Sequence, residues 1–203
     1  VESMPAPLEF YFDFSSPYGF LASLRIDELA KRYGRSVDWK PILLGAVFKI
    51  SGQQPLLEIP LKGDYTKHDL ARFARLWGVA IGMPPVFPFS SVAASRAFYW
   101  LHQRDPAKAR AFAKAAYAAA WQGQKDLGKS DTVAELVVAL GDSREDVLAG
   151  MVEPATKDTL RATVDAAIAK GVFGSPFIIV DKEGFWGADR LWQVEEWLER
   201  GGW

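Results

Sequence analysis

From Leu8 to Phe14 nearly every position is apolar or aromatic, with Glu9 and Asp13 as the exceptions. A short run without strict alternation, in this composition, predicts a buried strand. The pattern breaks at Ser15-Ser16-Pro17-Tyr18-Gly19 and becomes helical. Ala22, Ile26, Leu29, Ala30 and Tyr33 share one face of a helix predicted from Pro17 to Tyr33, with Gly34 placed as its C′ glycine. Ser36 to Ile42, SVDWKPI, alternates well enough for a second strand, so the opening reads as a βαβ unit.

Beyond it the character changes. Residues 44–65, LGAVFKISGQQPLLEIPLKGDY, are rich in Gly and Pro and read as loop, whereas Tyr65 to Gly171 reads as mostly helical. Tyr65–Trp77 places Leu70, Phe73, Ala74 and Trp77 on one face, and further helices are predicted around 91–104, 107–121, 132–140, 144–150 and 157–170. Thr132 with Glu135 matches a capping box, and Ser143 with Asp146 a looser one. GMPPVFPFS at 82–90 interrupts the helices. Strand character returns in VFGSPFIIVDKEGFWG: Phe177 to Val180, a hairpin through Asp181–Gly184, and a strand near Phe185–Trp186. A helix from Asp189 to Arg200 closes the chain. The layout predicts an α/β domain formed by residues 1–45 and 170–203, interrupted by an all-helical insertion at 46–169.

Composition narrows the chemistry. The 203 residues, 49% hydrophobic and 24% charged, suit one globular domain carrying an insertion. With 24 basic and 25 acidic side chains there is no basic field for a nucleic acid. No apolar run approaches the roughly 20 residues of a membrane span, so no membrane partner is expected. Residues 1–7, VESMPAP, lack the regions of a signal peptide, Met4 reads as a natural start, and the expected location is cytoplasmic. The chain has no cysteine and only two histidines, His68 and His102. That excludes disulfides, intrinsic thiol chemistry and a histidine-rich metal site.

Three short elements remain as candidates. Ser16 before Pro17 is what a helix start looks like, serine being a favoured N-cap and proline a favoured first residue. The same geometry would stabilise an anion such as a thiolate, which in a cysteine-free chain must arrive on a ligand. Gly174-Ser175-Pro176-Phe177 reads as an ordinary strand entry, or as a cis peptide that turns the Ser175 backbone toward a ligand. Asp189, in Trp186-Gly187-Ala188-Asp189-Arg190, serves as a helix cap or as a partner for an α-amino group. His68 and His102 lack a third group to orient them, and Trp77, Trp100 and Trp121 serve either packing or an aromatic pocket.

Taken together, YFDFSSPYGFLA, VFGSPF and WGADRL, with Ser-Pro-Tyr-Gly where Cys-Pro-x-Cys would open the first helix, make the chain resemble the DsbA-like branch of thioredoxin-type domains. Within that branch it resembles the 2-hydroxychromene-2-carboxylate isomerases and their kappa-class glutathione transferase relatives. The likeness spans nearly the whole chain, including KGDYTKHDLARFARLWG and MPPVFP. It implies a thioredoxin-like fold, glutathione as cofactor and a homodimer. It also implies that Ser16 is the catalytic residue at the glutathione sulfur. The Ser175 backbone, ahead of a cis-Pro176, would pair with the cysteinyl unit. Asp189 would bind the γ-glutamyl end, Lys62 would lie near the glycine carboxylate, and Lys49 and Tyr18 near the organic substrate. Two positions depart from the family: Gln53 stands where asparagine is common, and Ala188 where Ser or Asn is, which removes one side-chain contact to glutathione.

The activity implied is cis/trans isomerisation of a carboxylated aromatic compound, in which the thiolate adds, the chromene ring opens, the former double bond rotates and glutathione leaves unchanged. The alternatives are a kappa-like transferase that consumes glutathione, and a cysteine-free DsbA-like binding module without chemistry of its own.

Overall fold

The structure is a computed structural model and describes residues 5–203, so Met4 lies outside it. Four strands form one mixed sheet in the order β2-β1-β3-β4. β1 (Leu8–Phe12) pairs in parallel with β2 (Val37–Pro41) and antiparallel with β3 (Phe177–Val180), which pairs antiparallel with β4 (Glu183–Trp186). As a central strand β1 is covered on both faces, which accounts for its near-continuous apolar run. It ends two residues earlier than its hydrophobicity predicts, because Asp13 turns the chain.

The single helix expected from Pro17 to Tyr33 is two helices, α1 (Pro17–Ser23) and α2 (Ile26–Arg32). At the break the Leu24 and Arg25 N–H groups reach back only three residues, to Leu21 and Ala22, and the Ser23 hydroxyl occupies the Phe20 carbonyl at 2.6 Å. A serine bonded back onto its own helix bends it. The predicted stripe survives the break, since Ala22, Ile26, Leu29 and Ala30 are all buried.

Between β2 and β3 run α3 (Leu44–Ser51), a 3₁₀ turn (Leu56–Glu58), α4 (Lys62–Trp77), α5 (Val92–His102), α6 (Pro106–Trp121), α7 (Ser130–Val138), α8 (Arg144–Gly150) and α9 (Pro154–Ala169). After β4 come a 3₁₀ turn (Ala188–Arg190) and α10 (Leu191–Arg200). The segment read as loop from 44 to 65 therefore contains α3, and only 52–61 is irregular apart from its 3₁₀ turn. No residue in α3's own vicinity caps it. The Leu44 N–H is capped by the Asp13 carboxyl at 2.8 Å, 31 residues away in the chain, a tertiary cap that local patterning cannot signal. Thr132 does not cap either, because α7 begins at Ser130, whereas Ser143 caps α8 by accepting the Asp146 N–H at 3.0 Å.

The core is aromatic around β1. Phe12 and Phe14 pack on Tyr117 with ring centroids 5.4 and 5.2 Å apart, and Trp39 meets Phe10 edge-on at 5.1 Å. Two α6 side chains also bond to the backbone that leaves β1. The Tyr117 hydroxyl donates to the Asp13 carbonyl at 2.8 Å and the Trp121 indole to the Phe14 carbonyl at 2.9 Å. A long helix thus fixes the two residues that precede Ser15 and Ser16.

At the other end of the sheet the β3–β4 turn is Asp181-Lys182, both residues having positive φ as a two-residue hairpin of this type requires. Arg35 grips Asp181 through two hydrogen bonds of 2.7 and 3.0 Å and donates a third to the Ala6 carbonyl at 2.6 Å. That guanidinium holds the Asp181 carboxyl below its ordinary value of 3.8. A carboxyl lowered in the folded state contributes stability above its unfolded pKa and loses it as pH falls through the folded value. Acidification below about 4 is therefore expected to lower the thermal midpoint of the parent chain more than that of Asp181→Asn. The difference should be less than about 1 kcal/mol, because the Asp181 side chain is half exposed. Parallel midpoint-versus-pH curves for the two proteins would contradict this.

Candidate active site

Asp13 is 3% exposed, and every oxygen it has is used. Oδ1 accepts from the Ser15 N–H and hydroxyl at 2.8 and 2.7 Å, and Oδ2 accepts from the Leu44 N–H. Its carbonyl accepts from Ser16 N–H at 2.9 Å as well as from Tyr117. The next residue in the site, Ser16, is the N-cap of α1: its Oγ accepts the Gly19 N–H at 3.0 Å. Its single proton is donated elsewhere, to the Ser175 carbonyl at 3.0 Å. Ser175 is tied down in return, its Oγ accepting the Asp13 N–H at 3.0 Å. The Ser175–Pro176 peptide is cis, as is Phe87–Pro88 on another wall of the site. A cap and a strand entry, ordinary features singly, are bonded to each other.

This junction opens into a cavity of about 1020 Å³. Ser16, Tyr18, Lys49, Gln53, Lys62 and Ser175 all line it, so six of the residues named from sequence converge. Lys49, on α3, and Lys62, at the first position of α4, are exposed and take part in no ion pair among the described residues. Phe48, Phe87, Phe89 and Trp186 supply an aromatic wall. None of these four was singled out by sequence; Trp186 carries a signal, being a large aromatic at an outward position of a strand. The three tryptophans considered earlier do not line this cavity. Trp100 and Trp121 are buried in the core, and Trp77 faces a different hollow. His102 stacks on Phe98 at 5.7 Å and neither histidine lines the cavity.

Ala188 and Asp189 line a separate hollow of about 560 Å³ with Arg25, Glu28, Trp77 and Trp192. Ala188 is buried and Asp189 exposed. Tyr18 stands between the two spaces: it lines the cavity, and it packs edge-on against Phe73 of the hollow at 6.3 Å. Its hydroxyl donates to Asp69 Oδ2 at 2.6 Å, and Asp69 is held in turn by Arg72. Burial first, then the bond to Asp69 and the nearby charges of Asp69 and Asp189, push the Tyr18 phenol well above its ordinary range. Tyr18 therefore keeps its proton and spends it on Asp69. Toward a ligand it offers an apolar ring and oxygen lone pairs. Asp69 and Asp13 were not read as site residues. Asp13 had a signal, a carboxyl inside an otherwise apolar run, while Asp69 had none.

The DSBA-like thioredoxin domain family matches residues 7–199. A 2-hydroxychromene-2-carboxylate isomerase from Pseudomonas putida is 32% identical over 198 residues, covering 95% of this chain and 94% of that protein. The chain belongs to this isomerase family of DSBA-like thioredoxin domains. A solved 2-hydroxychromene-2-carboxylate isomerase superposes with a TM-score of 0.86 at 29% identity, over 95% of this chain and 94% of that one. A Glutathione S-transferase kappa 1 from Caenorhabditis elegans is 23% identical over 205 residues, covering 95% of this chain and 91% of its own length. The thioredoxin-like α/β fold with helices inserted between β2 and β3 is thus shared with these relatives. No described helix is long and apolar enough to cross a membrane, and the described residues hold no cluster suited to a metal ion.

Gly19 is the tightest point of the junction: a Cβ there would collide with the Tyr117 hydroxyl and lie 2.8 Å from Ser175 Oγ. Gly19→Ala is expected to destabilise the protein by about 1–3 kcal/mol through overpacking, read as a lower urea midpoint at unchanged slope. An unaltered midpoint would show that the junction yields freely.

Proposed function

We propose that the protein is a glutathione-dependent isomerase that converts a 2-hydroxychromene-2-carboxylate-type aromatic acid to its trans-o-hydroxybenzylidenepyruvate form. The observation that carries this reading is the Ser16 hydroxyl, bonded to Ser175 and facing a large aromatic-walled cavity that also presents two lysines without an ion pair among the described residues. Glutathione has a thiol, two carboxylates and an ammonium group. The residues present fit it: Lys62 for the glycine carboxylate and the Ser175 backbone for the cysteinyl unit, with Gln53 in the same cavity wall, and Asp189, in the hollow beyond Tyr18, for the γ-glutamyl end. When bound, glutathione supplies a thiolate nucleophile toward the conjugated acid and is recovered unchanged.

The chain's own contribution begins with Ser16. A hydrogen bond to an anion is roughly twice as strong as one between neutral groups, so a sulfur anion draws the Ser16 proton away from the Ser175 carbonyl. α1 has only seven residues, and the favourable field at a helix start fades within the first turn. The hydroxyl therefore matters more here than the length of the helix. Ser16 stabilises the thiolate and is not itself a nucleophile. Lys49 pairs with the carboxylate of the organic acid, and Phe48, Phe87, Phe89 and Trp186 enclose its ring. Tyr18 forms the partition against which both ligands rest.

The kappa-class relatives favour a second reading, transfer of glutathione to an electrophile. Product analysis separates the two: full recovery of free glutathione supports isomerisation, and a stable conjugate supports transfer.

The test of Ser16 is ultraviolet difference absorbance of thiolate on titration with glutathione across pH, in a protein with no thiol of its own. Ser16→Ala is expected to raise the pKa of the bound thiol by about 1–2 units, the equivalent of one hydrogen bond to a charged group, with a matching fall in turnover. Unaltered ionisation and turnover would remove Ser16 from the mechanism.

A further inference from the structure

One wall of the cavity has no role in the isomerisation proposed above. Ser90, Ser91 and Val92, which follow the aromatic segment Phe87–Phe89, line it where α5 begins. α5 runs for 11 residues and has no acidic side chain in its first turn. The charged residue nearest its start, Arg96, enters no ion pair among the described residues. The Val92 N–H reaches only the Ser90 hydroxyl, at a long 3.4 Å. The Ala93 and Ala94 N–H groups have no acceptor among the described residues, although Ala94 is fully buried. First-turn N–H groups point along the axis past the helix start and favour an oxygen acceptor there.

Ser91 supplies a second, independent feature. It is 5% exposed, and its hydroxyl takes part in no hydrogen bond among the described residues. A serine that caps its own helix has extended backbone. Ser91 has φ −92° and ψ 7°, and its hydroxyl does not turn back onto the α5 N–H groups. Ser95, one turn further along, also has an unpaired hydroxyl, but that one is wholly enclosed. The Ser91 hydroxyl is not enclosed, and the space its residue borders is the cavity. A nearly buried hydroxyl without a partner is unfavourable, and an oxygen of a ligand relieves it.

A hydroxyl proton beside N–H groups that lack acceptors makes a subsite for a single oxygen atom. Lys49 differs in kind, since a flexible ammonium suits the charge of a whole carboxylate. In the proposed reaction both acids carry an oxygen on the carbon next to the carboxylate, a hydroxyl on the closed ring and an oxo group on the open chain. We propose that the start of α5, through the Ser91 hydroxyl and the first-turn N–H groups, binds this 2-oxygen while Lys49 pairs with the carboxylate. The cavity thereby selects 2-oxo acids over acids that lack the oxygen. The inference rests on the isomerase reading and adds to it Ser91 as a specificity-determining residue.

Two stable acids test it by titration calorimetry: 4-phenyl-2-oxobutanoate, and 4-phenylbutanoate, which lacks the oxo group. The parent protein is expected to prefer the oxo acid. Ser91→Ala is expected to weaken the oxo acid by about 3- to 10-fold, the loss of one hydrogen bond, and to leave the plain acid unchanged. Because the Ser91 hydroxyl caps nothing, the melting midpoint and far-ultraviolet circular dichroism should match those of the parent. Lys49→Gln should weaken both acids alike. Equal loss for both acids in Ser91→Ala, or no loss, overturns the assignment, as does loss of the preference in Ser90→Ala but not in Ser91→Ala. A parent protein that binds both acids equally also overturns it, and leaves the isomerase reading standing. If the parent binds neither acid, with or without glutathione, the isomerase reading itself fails and this inference falls with it.

Discussion

The Asp13 carboxyl group accepts hydrogen bonds from Ser15 and Leu44, and its backbone carbonyl accepts from Ser16 and from Tyr117 more than 100 residues away. A buried polar group is costly unless its bonding capacity is filled. Here the groups that fill it come from the exit of β1, the start of α3 and the middle of α6. Satisfying one residue, through its carboxyl and its backbone carbonyl together, thereby sets the relative placement of three elements. The cavity lies where those elements meet, with Ser16 from the first and Lys49 from the second in its walls.

From Asp13 the constraint passes to the two serines. The Asp13 N–H holds Ser175 Oγ while the Ser16 hydroxyl holds the Ser175 carbonyl, so the loop before β3 is pinned at both ends of one residue. Gly19 is the only residue type that leaves room at this junction, because the Tyr117 hydroxyl and Ser175 Oγ occupy the space of a Cβ. Stability and function draw on the same bonds. The helices between β2 and β3 therefore help to build the candidate site: α6 fixes the approach to Ser16, α3 and α4 carry the lysines, and α4 anchors Tyr18 through Asp69.

The strands and most of the helices were legible because their hydrophobic patterns are local. Errors fell where something other than the hydrophobic period decides. α3 looks like loop by composition and becomes a helix with its first N–H capped by Asp13. The break at Leu24 interrupts a stripe whose period continues across it. Thr132-x-x-Glu135 has the spacing of a capping box but lies inside α7. At the site, Ser16 and Ser175 were readable from local sequence and the lysines only through the family resemblance, whereas Asp69 and the aromatic wall were not readable, since nothing in their immediate sequence marks what they face. The division of the candidate residues between a cavity and a hollow on either side of Tyr18 is likewise a property of the packed chain.

The Ser16 proton gives the junction a chemical direction. In the protein alone it satisfies the Ser175 carbonyl, a bond between neutral groups with a net worth of about 1 kcal/mol. An anion at Ser16 competes for that one proton and wins, because a charged acceptor about doubles the bond strength. The carbonyl it leaves belongs to a part-buried residue of the cavity wall, and an acceptor left without a partner costs up to about 1–3 kcal/mol, which offsets the gain unless a new donor replaces the proton. The balance closes only if a donor reaches Ser175 at the same time. A bare thiol has none to offer, whereas a cysteinyl peptide has its amide N–H two bonds from the carbon that bears the thiol side chain. On the glutathione reading proposed above, the bond between Ser16 and Ser175 would thus favour a thiol carried on a peptide over a simple thiol, with two serines and no contact to the peptide's far ends.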